Sequence, residues 1–202
     1  MEEEVDHQAI EAQKVQELKQ LKEKCSTCQQ CELHQSRSEV IFGQGPLQAD
    51  IMFISSAPSQ IEEASHEPFK NDEGQLLDRM FEKMGYQREQ LYLCYAAPCR
   101  PPNDRPPNAE ELLSCRPWLK EQIELVQPKF IVTLGTVATQ ALLQIQLPIS
   151  KLRGQWQEIQ TKLGKTPVMP TFHPGFLLKK PAARKDVWSD MVGILDAIKA
   201  RK

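Results

Sequence analysis

Short apolar runs alternate along this chain with stretches of helical periodicity, and that order restricts the fold more than any other feature. Ala49–Ser55 (ADIMFIS), Leu91–Ala97 and Lys129–Leu134 (KFIVTL) predict buried strands. Thr166–Thr171 predicts a fourth, interrupted by Pro167 and Pro170. Asp72–Gly85 predicts a helix that Gly85 stops. Asn108 caps a helix running to about Gln127, with Glu110 and Glu111 in its first turn. Gly135 opens a turn into a helix through Gln144, and Val187–Ala200 closes the chain as a helix with Trp188, Met191, Ile194, Leu195 and Ile198 on its apolar side. The expected fold class is α/β: a three-layer domain around a central, mostly parallel, four-stranded sheet. In such sheets sites lie beyond the carboxyl ends of the strands. Those ends are Ser55–Gln60, Ala97–Pro107, Gly135–Thr136 and Phe172–Gly175.

A chain of 202 residues fits one domain and buries a core without staples. Its net charge of -2 gives no global basic signal for nucleic acid. Residues 8–24 predict a helix, with Val15, Leu18 and Leu21 at helical spacing. The segment before Cys25 is acidic, carrying Glu2, Glu3, Glu4, Asp6, Glu11, Glu17 and Glu23 against Lys14, Lys19, Lys22 and Lys24. It divides the chain into an extension, residues 1–24, and a main domain, residues 25–202. The extension is either a docked or solvated helix, or an arm that binds a protein partner.

Six cysteines fall in the first 115 residues. Cys25, Cys28 and Cys31 form a C-x-x-C-x-x-C run; Cys99 and Cys115 follow far downstream, and Cys94 sits mid-strand as a small buried hydrophobe. Thiols gathered from distant segments bind a soft metal centre or form disulfides. The N-terminus has no basic n-region and no apolar h-region, and no apolar run spans a membrane. A cytoplasmic chain is therefore expected, in which metal outranks disulfide. Spacing alone leaves zinc and an iron–sulfur cluster both open.

Several short motifs recur in one order: Val40-Ile41-Phe42-Gly43, Pro68-Phe69, Gly74-Gln75-Leu76-Leu77, Cys99-Arg100-Pro101-Pro102 with Arg105-Pro106, Gln122-Ile123-Glu124-Leu125, Leu134-Gly135, Leu152-Arg153-Gly154 and His173-Pro174-Gly175-Phe176-Leu177-Leu178. With the cysteines, this series resembles the family-4 uracil-DNA glycosylases, from about Cys28 to Trp188. The resemblance implies a uracil-DNA glycosylase-like fold and a 4Fe–4S cluster held by Cys28, Cys31, Cys99 and Cys115, with Cys25 an extra thiol. It implies base stacking by Phe69 and stabilisation of the departing base by His173, whose neutral imidazole N–H faces the base oxygen. Glu62 matches an acidic residue that orients water, or is an exposed glutamate at a helix start. Lys179, Lys180, Arg184 and Lys185 match the loop that meets DNA, or form a solvated basic turn.

Three departures touch one pocket. The family's first motif, G-E-[AG]-P-G, is here Ser55-Ser56-Ala57-Pro58-Ser59, so both glycines are gone and Ser56 replaces the glutamate. Serine narrows the backbone freedom that glycine gives a close-approach loop. The Thr-Asn pair before Cys-Arg-Pro-Pro, whose asparagine reads the uracil edge, is here Cys94-Tyr95. Tyr95 offers one hydroxyl on a bulky ring where asparagine offers a donor and an acceptor, and is expected to fill the pocket. Lys70-Asn71 replaces the valine and glycine that follow Pro-Phe, with Asn71 expected to keep the left-handed turn. Two classes of function remain. One is a DNA N-glycosylase, active on uracil or retuned. The other is a non-catalytic module of replication or repair, for which the clamp-loader psi subunit, similar in fold, is the precedent. Both take DNA, single- or double-stranded, as partner.

Overall fold

The protein, described here from a computed structural model, is defined for residues 7–201. Glu2, Glu3, Glu4 and Asp6 of the acidic segment lie outside the described residues. The strands are β1 (Ile51–Ser55), β2 (Tyr92–Tyr95), β3 (Phe130–Leu134), β4 (Gln157–Thr161) and β5 (Gly164–Thr171). They form one five-stranded sheet in the order β2-β1-β3-β5-β4. β2, β1, β3 and β5 run parallel. The expected four strands are all present. The fifth, β4, pairs antiparallel with β5 and covers its outer edge. Its sequence, QEIQT, has one apolar residue, so no apolar run announces it.

The helices are α1 (His7–Ser26), α2 (Leu33–Ser36), α3 (Gln60–Ser65), α4 (Asp72–Met84), α5 (Ala109–Val126), α6 (Gly135–Leu143), α7 (Ile149–Leu152), α8 (Pro174–Lys179) and α9 (Arg184–Lys199). Local chemistry sets their ends. The Asn71 side chain accepts the Gly74 N–H at the start of α4, and Gly85 ends that helix at φ +83°. Asn108 and Glu111 form a reciprocal capping box on α5.

Strand side chains alternate between the two faces of the sheet. Ile51 and Phe53 enter one core with Phe81 of α4, Leu177 of α8 and Met191 and Ile194 of α9. Met52 and Ile54 enter the other with Leu119 and Ile123 of α5 and Ala138 of α6. Cys94 is wholly buried in that second core. A third, smaller cluster joins Leu21 and Cys25 of α1 to Phe42, with Trp118 and Leu125 of α5 against it. It docks α1 on α5. Register aligns Ser55 with Tyr95, and Leu134 with Thr171. The residues just beyond these positions therefore converge at one edge of the sheet.

Candidate functional site

At that edge an open cleft of about 300 Å³ lies between the ends of β1, β2 and β5. Ser55, Ser56, Glu62, Phe69, Glu73, Tyr95 and His173 all line it. Of the residues marked out by sequence, the four cations Lys179, Lys180, Arg184 and Lys185 are not among its walls.

His173 precedes Pro174 at the first turn of α8 and accepts the Gly175 N–H on Nδ1 at 3.1 Å. A backbone amide can only donate, so the proton of the neutral ring sits on Nε2. That nitrogen lies 3.0 Å from Ser55 Oγ, to which it donates. Desolvation lowers the imidazole pKa to about 4, so the ring is neutral at physiological pH. Leu134-Gly135 makes this placement possible. Gly135 adopts φ +85°, and a β-carbon there would lie 2.9 Å from His173 Cβ.

Phe69 and Tyr95 stack with ring centroids 5.1 Å apart and planes 13° apart. The Tyr95 hydroxyl donates to Glu62 Oε1 at 2.6 Å and accepts the Phe69 N–H at 2.9 Å. Burial, and then the neighbouring Glu62 carboxylate, push the phenol pKa up, so it stays protonated. The other Glu62 oxygen accepts both the N–H and the hydroxyl of Ser59, each at 2.7 Å. Glu62 is 3% exposed and closes a capping box on α3. The carboxylate proposed from sequence to orient water is thus fully engaged in holding Ser59 and Tyr95.

The left-handed residue after Pro68 is Phe69 itself, at φ +55°. Asn71, expected to take that conformation, is extended at φ -87° and caps α4 instead. Arg88 donates to the carbonyls of both Pro68 and Phe69, which fixes the unusual turn from outside. Gly74 is the glycine this turn needs, because a β-carbon there would collide with the Phe69 carbonyl. No residue from 55 to 59 has a positive φ. The serines that replace the glycines of the first motif therefore sit in backbone conformations open to any residue, without the expected restriction.

Lys179, Lys180, Arg184 and Lys185 are exposed beyond His173, and among the described residues none pairs with a carboxylate. Lys180 Nζ lies 5.5 Å from the Phe176 ring centroid. Glu73, on the first turn of α4, was not singled out by the sequence. An acidic residue there is ordinary helix-start chemistry, and no local signal marks it.

The cysteines assemble elsewhere. Cys28, Cys31, Cys99 and Cys115 line one small cavity, and Cys25 joins them. All are free thiols. Burial first, then the neighbouring Cys99 and Cys28, push the Cys25 thiol up to about 12. Cys99 and Cys115 are also raised by burial, with mutual repulsion among the sulfurs adding to it. Thiols this crowded and this desolvated would ionise only where a cation or metal centre stabilises the thiolate. Arg37 is one such partner: Nη1 donates to Cys99 Sγ at 3.2 Å while Nη2 donates to the Ser26 and Cys28 carbonyls. Trp118 lines the same cavity, and its buried indole N–H has no partner among the described residues. Among the described residues no group of three His, Cys, Asp or Glu is arranged to hold a single metal ion.

Comparison with known proteins agrees with this layout. Residues 42–192 match the model of the uracil DNA glycosylase superfamily. The type-4 uracil-DNA glycosylase of Thermotoga maritima is 37% identical over 73% of this chain and 76% of its own length. That of Sulfurisphaera tokodaii is 35% identical over 79% of this chain and 74% of its own length. That of Saccharolobus solfataricus is 34% identical over 84% and 81%. The sheet order, the His-Pro-Gly turn at its edge and these similarities converge: the chain belongs to the uracil-DNA glycosylase superfamily and, within it, to the type-4 family.

Proposed function

We propose that this protein acts on DNA in repair or replication as an N-glycosylase-like member of its family, with uracil excision lost, weakened or retuned. One observation carries the reading. The Tyr95 hydroxyl is spent on Glu62 and the Phe69 amide, and its ring covers Phe69. An asparagine at this position would offer a donor and an acceptor to the uracil edge; Tyr95 leaves neither free. A site that has lost a hydrogen-bonding partner for its substrate loses discrimination by orders of magnitude.

The alternative is a working uracil-DNA glycosylase, and a specific observation favours it. His173 is neutral and carries its proton on Nε2, as a donor to a developing base anion must. Uracil-containing single- and double-stranded oligonucleotides, treated with alkali after incubation, separate the two. Release far below that of a type-4 enzyme assayed alongside is expected. Release equal to that control would overturn the retuned reading. Release of no base from any substrate would favour a non-catalytic module.

Cys28, Cys31, Cys99 and Cys115 are proposed to hold a 4Fe–4S cluster. The donor set fits such a group: four converging thiols, a guanidinium on one sulfur, and an unpaired N–H at the cavity wall. Bound there, the cluster would supply a rigid cross-link and redox capacity. Cys28 and Cys31 would tie the segment after α1 to the loop at Cys99 and to α5. Iron and acid-labile sulfide in protein purified without oxygen would support this; zinc in their place would refute it.

A further inference from the structure

We propose that Glu73 is the carboxylate this cleft supplies to base excision, taking over from the glutamate that Ser56 replaces. The inference rests on the N-glycosylase reading above. Three carboxylates line the cleft. Glu62 is bound by Tyr95 and Ser59. Asp104 accepts from Arg100 Nε at 2.6 Å and from the Gln60 N–H at 3.1 Å. Glu73 alone keeps its oxygens clear of hydrogen bonds among the described residues. Its nearest charged or ring partner, His173 Nδ1, lies 3.8 Å away and already accepts the Gly175 N–H.

The fold makes room for it. Gly175 of the His-Pro-Gly turn packs directly against Glu73 Oε1, and a β-carbon at that position would collide with the carboxylate. The glycine thus seats a group from α4 beside the histidine from the end of β5. The surroundings also suit a base. Desolvation, then the Glu62 carboxylate, raise the Glu73 pKa, and Lys179 opposes them. A raised pKa makes a stronger proton acceptor.

The step balances as a hydrolysis. A water oxygen bonds the sugar C1′ and gives its proton to Glu73. The C1′–N bond breaks, its electron pair leaves on the base, and the His173 Nε2–H turns from Ser55 to the base oxygen. The base then takes a proton from Glu73 or solvent.

The test uses the full chain, in single turnover, on oligonucleotides carrying uracil, hypoxanthine or xanthine. On the best substrate Glu73→Gln should slow release by about 10²-fold or more. Its affinity for the same DNA should stay within about threefold. The wild-type rate should rise with pH through the Glu73 ionisation, above a glutamate's ordinary value, with Glu62 and Lys179 as the charges that face it beside the neutral His173. That acidic limb should vanish in Glu73→Gln. Gly175→Ala, which displaces the carboxylate without removing it, should lie between the two. Wild-type release with Glu73→Gln unimpaired and the limb retained overturns the inference alone. A wild type that releases no base overturns the glycosylase reading and this inference together.

Discussion

The cysteine cavity and the cleft each gather residues distant in sequence, yet they differ in how closely they match the family resemblance. At the cavity, four thiols of the expected set converge and a fifth has been added. At the cleft, His173 and Phe69 stand where the family resemblance expects them, whereas Tyr95 and Ser56 stand where it expects asparagine and glutamate. The contrast has a physical reason. A metal centre needs every ligand, since one absent thiolate leaves a coordination position open. A pocket of hydrogen bonds can be rewired, as Tyr95, Glu62 and Ser59 satisfy one another here.

The largest effect is expected at the cavity. Cys99→Ala or Cys115→Ala should abolish bound iron and sulfide and lower the thermal midpoint, whereas Cys94→Ala, in the core of the sheet, should leave iron content intact. Metal analysis and melting curves decide; equal iron in all three would erase the distinction between the regions. Next, the double variant Tyr95→Asn with Ser56→Glu should raise uracil excision by about 10²-fold or more, if the cleft is rewired and not ruined. An alkaline cleavage assay reads this, and an unchanged rate would show that the backbone also has diverged. Tyr95→Phe removes one oxygen but leaves Glu62 Oε1 and the Phe69 N–H unpaired, at a cost of about 1–3 kcal/mol in urea unfolding.

His173 gives a pH signature. Its folded pKa, about 4, lies below the ordinary 6.5. The unfolded chain therefore binds a proton that the native site refuses, and stability should fall as pH drops from about 6.5 towards 4. A His173→Gln variant should lack that component in denaturation midpoints measured across this window. Smallest are the surface cations. Lys179→Ala and Lys180→Ala should each weaken DNA binding evenly across sequences and reduce the salt slope by about one. A sequence-selective loss would place them in base readout.

Much of this is legible in the sequence. The four parallel strands are continuous apolar runs because both faces of the sheet are buried, and such runs are visible. β4 is not, because an edge strand needs few apolar side chains, and Gln157, Glu158 and Gln160 form no apolar run. The approach of His173 to the cleft follows from His-Pro-Gly at a strand end. Glu73 is silent, because its seat beside His173 depends on Gly175, about a hundred residues downstream, and no periodicity links the two. Asn71 was legible in kind, as a turn residue, but misassigned. Its side chain is a better helix cap than a left-handed turn former once Arg88 holds the Phe69 carbonyl in place.

The small cluster beneath α1 has one more consequence. Leu21, Cys25 and Phe42 form a core apart from the two that sandwich the sheet, and a few side chains, Trp118 and Leu125 of α5 among them, join it to the rest. A unit held by so few apolar side chains opens at lower free energy than the sheet. The N-terminal helix would then act as a reporter of the cavity's occupancy. Its amides should exchange with deuterium, and its peptide bonds yield to protease, while the strands below remain closed.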